Sequence, residues 1–231
     1  MIEVVPSIRM LPRTWGCNVY LSASGRGALI DGGFPLDTRR VTRAISRMPS
    51  PPGVLVATHC HLDHMGTLAE LKERFGSVVA AHREDAPVME GSRPYPMFKL
   101  DPLRAAYYKV LSPLYRYRYV VVDRVLEEGD VVEGLRVIHV PGHTEGSIVL
   151  YDADAGALYS GDCIRNENGE LDGPPPQFTP DMDLAFDCIT EKILPLEFEV
   201  LLPGHGEPLV GGARDAVEGM VARAGRKGYR G

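Results

Sequence analysis

The sequence predicts a layered α/β protein, and three observations lead to that prediction. Short apolar runs recur along the 231 residues, and most of them end in turns that contain glycine or histidine, as strands do. Segments with apolar residues at helical spacing follow several of these runs. The strands arrive in clusters with helices between them, which favours packed layers of sheet and helix.

The first half of the chain alternates predicted strands and helices. Val41 and Ile45 recur at helical spacing in one segment, which the proline-rich SPPG then ends. Gly76 is the expected C-cap of the following helix. The predicted elements are a hairpin over 18–21 and 28–31, a helix over 36–48, a strand over 54–57, a helix over 64–76 and a strand over 78–81.

The second half begins with a run of predicted strands. Residues 120–163 are typical of a β-meander, and a long polar loop, RNENGELDGPPPQF, follows Asp162. Thr179 is the expected N-cap of a helix that runs to Leu194, with a proline at the first helical position. A strand over 199–202 and a helix over 213–224 complete the prediction, and the last residues are expected to fray.

Composition limits the classes of protein that the chain can belong to. Its 25 basic and 31 acidic residues give a net charge of −6, and its 44% hydrophobic and 24% charged residues are typical of one globular domain over 1–231. No apolar run approaches the roughly 20 residues of a membrane span. The start resembles no signal peptide, and the four cysteines form no CxxC pattern, so we expect a cytoplasmic protein. Its acidic balance disfavours a nucleic-acid partner.

Four predicted strands end in potential metal ligands. Five of the seven histidines lie at these ends, and glycine accompanies most of them. Residues 59 and 61 of an extended stretch point to the same side and can share one ion, whereas Asp63 and His64 begin the next helix and can serve a second. Imidazole and carboxylate ligands suit zinc, iron or manganese. The candidate metal ligands are His59, His61, Asp63, His64, His143, Asp162 and His205.

These motifs resemble those of a known family. THCHLDH, PGHTEGS, SGD and LLPGHGEP, preceded by NVYL and ALIDGG, are similar in order and spacing to the metallo-β-lactamase-fold hydrolases, nearest to the glyoxalase II-like members. The resemblance runs from Asn18 to Pro208. It implies an αββα four-layer sandwich, with a dinuclear site at one edge of the two sheets. It also implies that His59, His61 and His143 hold one metal, that Asp63, His64 and His205 hold the other, and that Asp162 bridges them.

The resemblance also implies hydrolytic chemistry. The expected cofactors are two divalent metal ions, with zinc as the first expectation and iron or manganese as alternatives. Such ions outweigh two carboxylates and a hydroxide by one positive charge, so a metal-bound hydroxide bridging at Asp162 is the expected nucleophile. Asp63 is the second expected catalytic residue, because its carboxylate can orient that nucleophile.

Three activities remain open for this ligand set. A glyoxalase II-like thioester hydrolase is the leading one, although only about 23 residues follow PGHGEP, which puts a glutathione-binding helical extension in doubt. A lactonase would use the same nucleophile on a cyclic ester. An iron-dependent persulfide dioxygenase would use one iron at the counterparts of His59, His143 and Asp162, but the full second ligand set argues against it.

Residues 85–120 have no place in the minimal strand pattern and are predicted to form an inserted helical cap. Seven basic and two acidic residues give the part over 93–124 a charge of +5, which leaves −11 for the remainder, and six of the ten tyrosines lie there. We expect an anionic small-molecule substrate; a homodimer surface is the alternative. The candidate substrate-binding residues are Arg104, Tyr107, Tyr108, Lys109, Arg116 and Arg118.

Other polar residues near the motifs have less specific expectations. His82 and His139 match no ligand position, and a hydrogen-bonded structural role is expected for His139, which alternates with Ile138 and Val140 in a predicted strand. Asp31, at the end of ALIDGG, either supports the site or forms a structural turn. Thr144 and Ser147 are expected to make hydrogen bonds within the turn after His143.

Overall fold

A seven-stranded sheet forms the N-terminal half of the fold in a computed structural model that describes residues 1–95, 106 and 118–227. Its first four strands pair antiparallel, and the last four are parallel, so β4 belongs to both patterns. In spatial order, the strands are β1 (Ile2–Val5), β2 (Ile8–Leu11), β3 (Val19–Ser22), β4 (Ala28–Ile30), β5 (Val54–Val56), β6 (Val78–His82) and β7 (Arg124–Leu126).

A six-stranded sheet forms the other half. Its strands are β8 (Val131–Val132), β9 (Leu135–His139), β10 (Ile148–Asp152), β11 (Ala157–Gly161), β14 (Val200–Pro203) and β15 (Leu209–Val210). Strands β8 to β11 form a meander, whereas β11 and β14 are parallel. The separate hairpin of β12 (Arg165–Glu167) and β13 (Glu170–Asp172) lies between these parts of the sequence.

Helices cover the outer face of each sheet. On the first sheet lie α1 (Thr38–Ile45) and α3 (Leu68–Phe75), and the short helices α2 (Leu62–Met65) and α4 (Ala86–Met89) follow β5 and β6. On the second sheet lie α5 (Met182–Cys188), which continues as a π turn over Ile189–Ile193, and α6 (Ala213–Lys227). None of the helices in the described residues is both long and apolar enough to cross a membrane.

Alternation along the strands produces three separate apolar clusters. In β4, Leu29 packs against α1 and α3, whereas Ile30 packs between the sheets. In β11, Leu158 packs with the helices of the second sheet, whereas Tyr159 faces the first sheet. Neighbouring residues of a strand point to opposite faces, so both sheets are buried on two sides. The result is the predicted sandwich of helix, sheet, sheet and helix.

The structure corrects several predicted elements. Strands β1 and β2 and the β12–β13 hairpin were not predicted, and the predicted polar loop contains that hairpin. Strand β7 pairs with β6 rather than joining the meander. The helix predicted over 64–76 is two helices, although Gly76 ends the second with a positive φ of 68°, as expected. The N-cap of α5 is Asp181, whose carboxylate accepts a hydrogen bond from Leu184 N, rather than Thr179.

The strand directions bring four loops to one edge of the sandwich. Strands β9, β11 and β14 run in the same direction, so the loops that follow them lie at the same edge of the second sheet. Strand β5 of the first sheet ends at that edge too, because Ile148 N, at the start of β10, donates a hydrogen bond of 2.9 Å to Thr58 O. This edge carries the candidate site.

Candidate metal centre

The predicted ligands meet at this edge in two groups. In one, the ligand atoms of His59, His61 and His143 lie within 4.8 Å of one another, and all three side chains are buried. Asp63, His64 and His205 form the other group, with the same limit on their separations. The His59 and His64 rings, whose centroids are 4.0 Å apart, connect the two groups.

Asp162 lies between these two groups. Its Oδ1 is 3.1 Å from His64 Nε2 and 3.3 Å from His205 Nε2, whereas its Oδ2 is 3.6 Å from His143 Nε2. The two oxygens of one buried carboxylate therefore face different groups. A carboxylate so placed has the geometry to serve two cations at once.

Hydrogen bonds fix which nitrogen of His59 carries its proton. The Thr58 hydroxyl lies 2.9 Å from Asp31 Oδ2 and 3.1 Å from His59 Nδ1. The hydroxyl donates its single proton to Asp31, so His59 Nδ1 must donate to Thr58. His59 Nε2 is left with a lone pair that points into the cluster.

Asp31 fixes the proton of His64 in the same way. Its Oδ2 is 2.8 Å from His64 Nδ1, and its Oδ1 accepts a hydrogen bond of 2.8 Å from Thr58 N. Asp31 adopts a positive φ of 59°, and its carboxylate is buried. The two roles left open for Asp31 therefore coincide, because a strained turn residue supports a candidate ligand.

Thr179 provides the equivalent contact to His143. Its hydroxyl donates a hydrogen bond of 2.7 Å to Pro175 O and lies 3.0 Å from His143 Nδ1. Having given its proton to the carbonyl, Thr179 accepts from His143 Nδ1, so the Nε2 lone pair of His143 also faces the cluster.

The cluster fits bound cations. The Nε2 atoms of His59 and His143 are buried without a hydrogen bond within the described residues. His64 Nε2 and Asp162 Oδ1 lie 3.1 Å apart, and although burial lowers it, Cys17 and the carboxylates of Asp31 and Asp162 hold the pKa of His64 well above its usual value, so a proton takes the place that a cation would occupy there. Buried polar atoms are nearly always satisfied, so converging acceptors without donors indicate a site for positive ions. Neutral imidazole and carboxylate form a donor set that suits zinc, iron or manganese.

Burial keeps the imidazoles of His59, His61 and His143 neutral. Burial, together with the neighbouring histidines, holds the pKa of His59 well below its usual value, and burial lowers the pKa of His61 to about 3 and that of His143 to about 4. Burial raises the pKa of Cys17, which lies beside His64 and Asp31, to about 12. At neutral pH, these three histidines are therefore free to ligate a metal, whereas Cys17 remains a thiol.

Asp63 and His205 form the open side of the centre. Asp63 Oδ2 is 3.2 Å from His205 Nε2, and each side chain is about one-third exposed, at 35% and 34%. Burial alone would raise the pKa of Asp63, but His64 and His205 together lower it to about 2. An ionised carboxylate thus lies where solvent reaches the cluster.

Asp85 joins the two loops that carry the first histidine group. Its Oδ2 accepts hydrogen bonds from Cys60 N at 2.8 Å and Thr144 Oγ1 at 2.7 Å, and its Oδ1 accepts from Gly146 N at 2.9 Å. Thr144 Oγ1 also lies 2.8 Å from Ser147 Oγ, as expected for a turn. This buried carboxylate fixes the spacing between the loop of His59 and His61 and the loop of His143.

The loop of His205 approaches the cluster closely at Gly204. A Cβ atom at this position would lie 2.7 Å from Asp162 Oδ1 and 2.8 Å from His64 Cε1. Asn18 holds the same loop, since its Nδ2 donates to Pro203 O at 3.0 Å and to Gly206 O at 2.7 Å. Glycine is therefore required for packing against the candidate ligands.

The remaining predicted residues divide between the described and undescribed parts of the chain. Arg104, Tyr107, Tyr108, Lys109 and Arg116 lie outside the described residues. Arg118 pairs through its guanidinium with Glu73 on the surface of α3. His82 and His139, which match no predicted ligand position, stack on each other with ring centroids 3.9 Å apart.

Sequence reasoning missed several residues that support the cluster. Tyr95, from the predicted cap segment, accepts a hydrogen bond of 2.8 Å from Leu62 N, and its ring centroid is 6.2 Å from that of His61. Thr58 directly precedes the HxHxDH motif, and that position could have drawn attention to it. Thr179 and Asp85 had no local signal, because their partners are distant in sequence.

Comparison with known proteins identifies the family of this chain. The profile of the metallo-beta-lactamase superfamily matches residues 12–205. The probable metallo-hydrolase YflN of Bacillus subtilis (strain 168) is 34% identical over 174 residues, which cover 68% of this chain and 65% of YflN, so the match spans just under two thirds of that relative. The acyl-coenzyme A thioesterase MBLAC2 of Gallus gallus is 31% identical over 206 residues, covering 81% of this chain and 72% of MBLAC2.

A further relative and a solved structure cover nearly the whole chain. The hydroxyacylglutathione hydrolase GloC of Haemophilus influenzae is 24% identical over 217 residues, or 89% of this chain and 90% of GloC. The crystal structure of TTHA1623 in a di-iron-bound form has a TM-score of 0.66 at 26% identity, covering 90% of this chain and 93% of that one. The predicted family resemblance is confirmed: the chain belongs to the metallo-β-lactamase superfamily, with hydroxyacylglutathione hydrolases (glyoxalase II) among its relatives.

Proposed function

We propose that this chain is a dinuclear metallohydrolase that cleaves thioesters or esters of small, anionic substrates. The observation that carries the proposal is the position of Asp162, whose two carboxylate oxygens face two different groups of candidate ligands. A single-metal centre would not need the second group. The full set of acceptors therefore favours a hydrolase over a mononuclear oxygenase.

The first cation is assigned to His59, His61 and His143, and the second to Asp63, His64 and His205, with Asp162 shared between them. Zinc is proposed for both positions, with iron or manganese as the alternatives that the same imidazole and carboxylate donors suit. Divalent cations at such a centre supply Lewis acidity and lower the pKa of a coordinated water, so that a nucleophile is available at neutral pH.

The chain's own residues position the reactants. We assign Asp63 to orient the attacking water, because its ionised carboxylate is part-exposed and borders the cluster. Thr58, Asp31 and Thr179 hold their histidines with the Nε2 atoms directed inward. The chemistry then follows the predicted course: water adds to the acyl carbon, and the thiolate or alkoxide leaves.

The substrate is proposed to be an acyl thioester. Two relatives support this class by their names, one an acyl-coenzyme A thioesterase and the other a hydroxyacylglutathione hydrolase. We also propose that residues 85–120 form a cap inserted in one domain, because Asp85 and Tyr95, in the described part of this segment, contact the loops of the site. The substrate-binding roles of Arg104, Tyr107, Tyr108, Lys109, Arg116 and Arg118 belong to the same proposal.

The test combines metal content with product detection. Purified protein should contain two zinc ions per chain by elemental analysis and release free thiol from acyl-coenzyme A or hydroxyacylglutathione. His61→Ala should abolish thiol release and lower the metal content while retaining the circular dichroism of the folded protein. His139→Gln, which replaces a histidine outside the cluster, is the matched control and should keep both metal and activity.

Other results would overturn the proposal. One iron per chain with oxygen consumption on a persulfide would indicate a dioxygenase, and turnover of lactones without thiol release would indicate a lactonase. Full thiol release by His61→Ala would contradict the ligand assignment itself.

A further inference from the structure

A cleft lined by arginines lies on the outer layer of the first sheet, apart from the histidine cluster. Its volume is about 640 Å³, and its floor includes apolar residues of β2, β3 and α1. A volume in this range is typical of small-molecule sites. The cationic and aromatic residues that line it are Arg9, Arg39, Arg40, Arg43, Arg47 and Trp15.

The positive charge of this arginine cleft is not balanced locally. Within the described residues, no carboxylate forms an ion pair with any of the five guanidinium groups, and Arg40 donates to a backbone carbonyl, that of Pro12. Asp37 lies nearby, but its buried carboxylate already accepts hydrogen bonds from Trp15 N, Gly16 N and Phe34 N. Glu3 is the cross-strand neighbour of Arg9, without an ion pair between them.

The arrangement is unfavourable for the helix that carries it. Arg39 and Arg43 are four residues apart on α1, and like charges at this spacing destabilise a helix. Arg39 and Arg40 also lie in the first turn, where the helix dipole disfavours cations. In a chain of net charge −6, such a cluster indicates an anionic ligand.

An aromatic side chain completes the recognition surface. Trp15 is 78% exposed, and Leu36 beside it is 58% exposed. An exposed indole among guanidinium groups can stack on a nucleobase while the arginines bind phosphate. The combination of aromatic and cationic groups is that of a site for a phosphorylated nucleotide.

The loop that carries Trp15 connects the cleft to the candidate metal centre. Asp37 fixes the backbone at Trp15 and Gly16, and the next residue, Cys17, donates a hydrogen bond of 3.1 Å from its backbone N to Asp63 O. A Cβ at Gly16 would lie 2.6 Å from that carbonyl oxygen. A ligand in the cleft is therefore bound beside the loop that carries Asp63.

We propose that the arginine cleft binds the phosphorylated adenosine end of a coenzyme A thioester, whose acyl end reaches the metal centre. This inference rests on the proposed thioesterase function and decides whether the acyl group is carried by coenzyme A or by glutathione. Glutathione has neither phosphate nor nucleobase, so it would leave both the arginines and Trp15 unused. An anionic membrane would match the charge, but a concave cleft suits a ligand that enters it.

Trp15 makes the proposal directly measurable, because it is the only tryptophan in the chain. Desulfo-coenzyme A, which lacks the thiol and cannot ligate a metal through sulfur, should quench its fluorescence with saturation. The double variant Arg39→Gln/Arg43→Gln should weaken this binding by about tenfold or more. It replaces two exposed side chains of α1 and removes the repulsion between them, so it should remain folded.

A matched control removes the same charge elsewhere. Arg83 and Arg214 lie outside the cleft and pair with Glu127 and Glu218. The variant Arg83→Gln/Arg214→Gln should bind desulfo-coenzyme A like the parent protein. In turnover assays, the cleft variant should raise KM for acyl-coenzyme A about tenfold and leave KM for the matching acyl-pantetheine unchanged, since pantetheine lacks the nucleotide.

The outcomes separate the two proposals. Absence of saturable quenching, equal weakening in both double variants, or binding to anionic phosphatidylserine vesicles without binding to desulfo-coenzyme A would overturn the assignment of the cleft. Hydrolysis of acyl-pantetheine with no effect of the nucleotide would do so as well, while leaving the thioesterase function intact. Saturable, Arg39- and Arg43-dependent quenching without any thioester hydrolysis would instead refute the proposed function and support the nucleotide site.

Discussion

Replacing Asp85 by alanine tests whether a single buried carboxylate holds the first histidine group together. This residue touches none of the candidate ligands with its side chain, but it connects the backbone between His59 and His61 to the loop of His143. We expect Asp85→Ala to destabilise the metal-free protein and also to weaken metal binding, because both loops would lose their common acceptor.

The expected magnitude follows from the hydrogen bonds that would be lost. Cys60 N and Gly146 N would be left as buried donors, whereas the Thr144 hydroxyl can turn to Ser147 Oγ, which is 2.8 Å away. Each buried donor without an acceptor costs about 1–3 kcal/mol, which gives about 2–6 kcal/mol in total. Burial of the carboxylate is itself unfavourable, as the raised pKa of Asp85 indicates, so we expect a net loss of about 2–4 kcal/mol.

Urea unfolding in the presence of a chelator measures the loss of stability, and competition with a chromophoric chelator measures zinc affinity. Asp85→Asn, which keeps one oxygen acceptor, should fall between the parent and the alanine variant in both assays. Asp154→Ala removes an exposed aspartate of a turn and serves as the control. If Asp85→Ala unfolded at the same urea concentration as this control and bound zinc equally well, the reasoning would be refuted.

Three further predictions concern single groups. Thr179→Val removes the acceptor of His143 Nδ1 and should weaken zinc binding about tenfold to a hundredfold by chelator competition; unchanged affinity would contradict the assigned tautomer. Gly204→Ala would place a Cβ 2.7 Å from Asp162 Oδ1 and should lower the metal content measured by elemental analysis, and a fully loaded variant would count against the packing argument. Burial and a stacked histidine lower the pKa of His82 from 6.5 to about 4, so the unfolded chain binds the extra proton in this interval and stability should fall as the pH drops from about 6.5 to 4. His82→Gln should reduce this loss of unfolding free energy by about 1–2 kcal/mol, measured by urea unfolding of the chelator-treated protein. The same pH dependence of stability in the variant and the parent would contradict the prediction.

The parts of the fold that sequence predicts well are those in which the local pattern and the tertiary environment agree. Val54–Val56 is a continuous apolar run because both faces of β5 are covered. The pattern fails where pairing decides the outcome. The apolar run before Arg124 predicts a strand in the meander, yet Val121 is 64% exposed, and the strand that follows pairs with β6 of the other sheet. Strand partners separated by more than 40 residues leave no local mark in the sequence.

The candidate site shows the same division. Histidine and aspartate at strand ends were predictable, since the chemistry of metal binding needs those residue types and sheet topology places them at one edge. Thr179 was predicted as a helix N-cap on local grounds, but its hydroxyl is held by Pro175 O and His143. Asp181 caps the helix instead. A short polar side chain has one hydroxyl proton, and in this case the tertiary contact determines where it goes.

These supporting residues explain how the centre is organised before any cation arrives. Thr58, Asp31 and Thr179 supply partners for the Nδ1 atoms, so the folded chain itself directs the Nε2 atoms into the cluster. The convergence of these acceptors costs stability in the metal-free protein, and packing and the Asp85 hydrogen bonds offset that cost. A cation that satisfies the acceptors recovers this free energy as binding free energy. We therefore expect the affinity for metal to depend on two threonines and two buried aspartates as much as on the histidines of the motif.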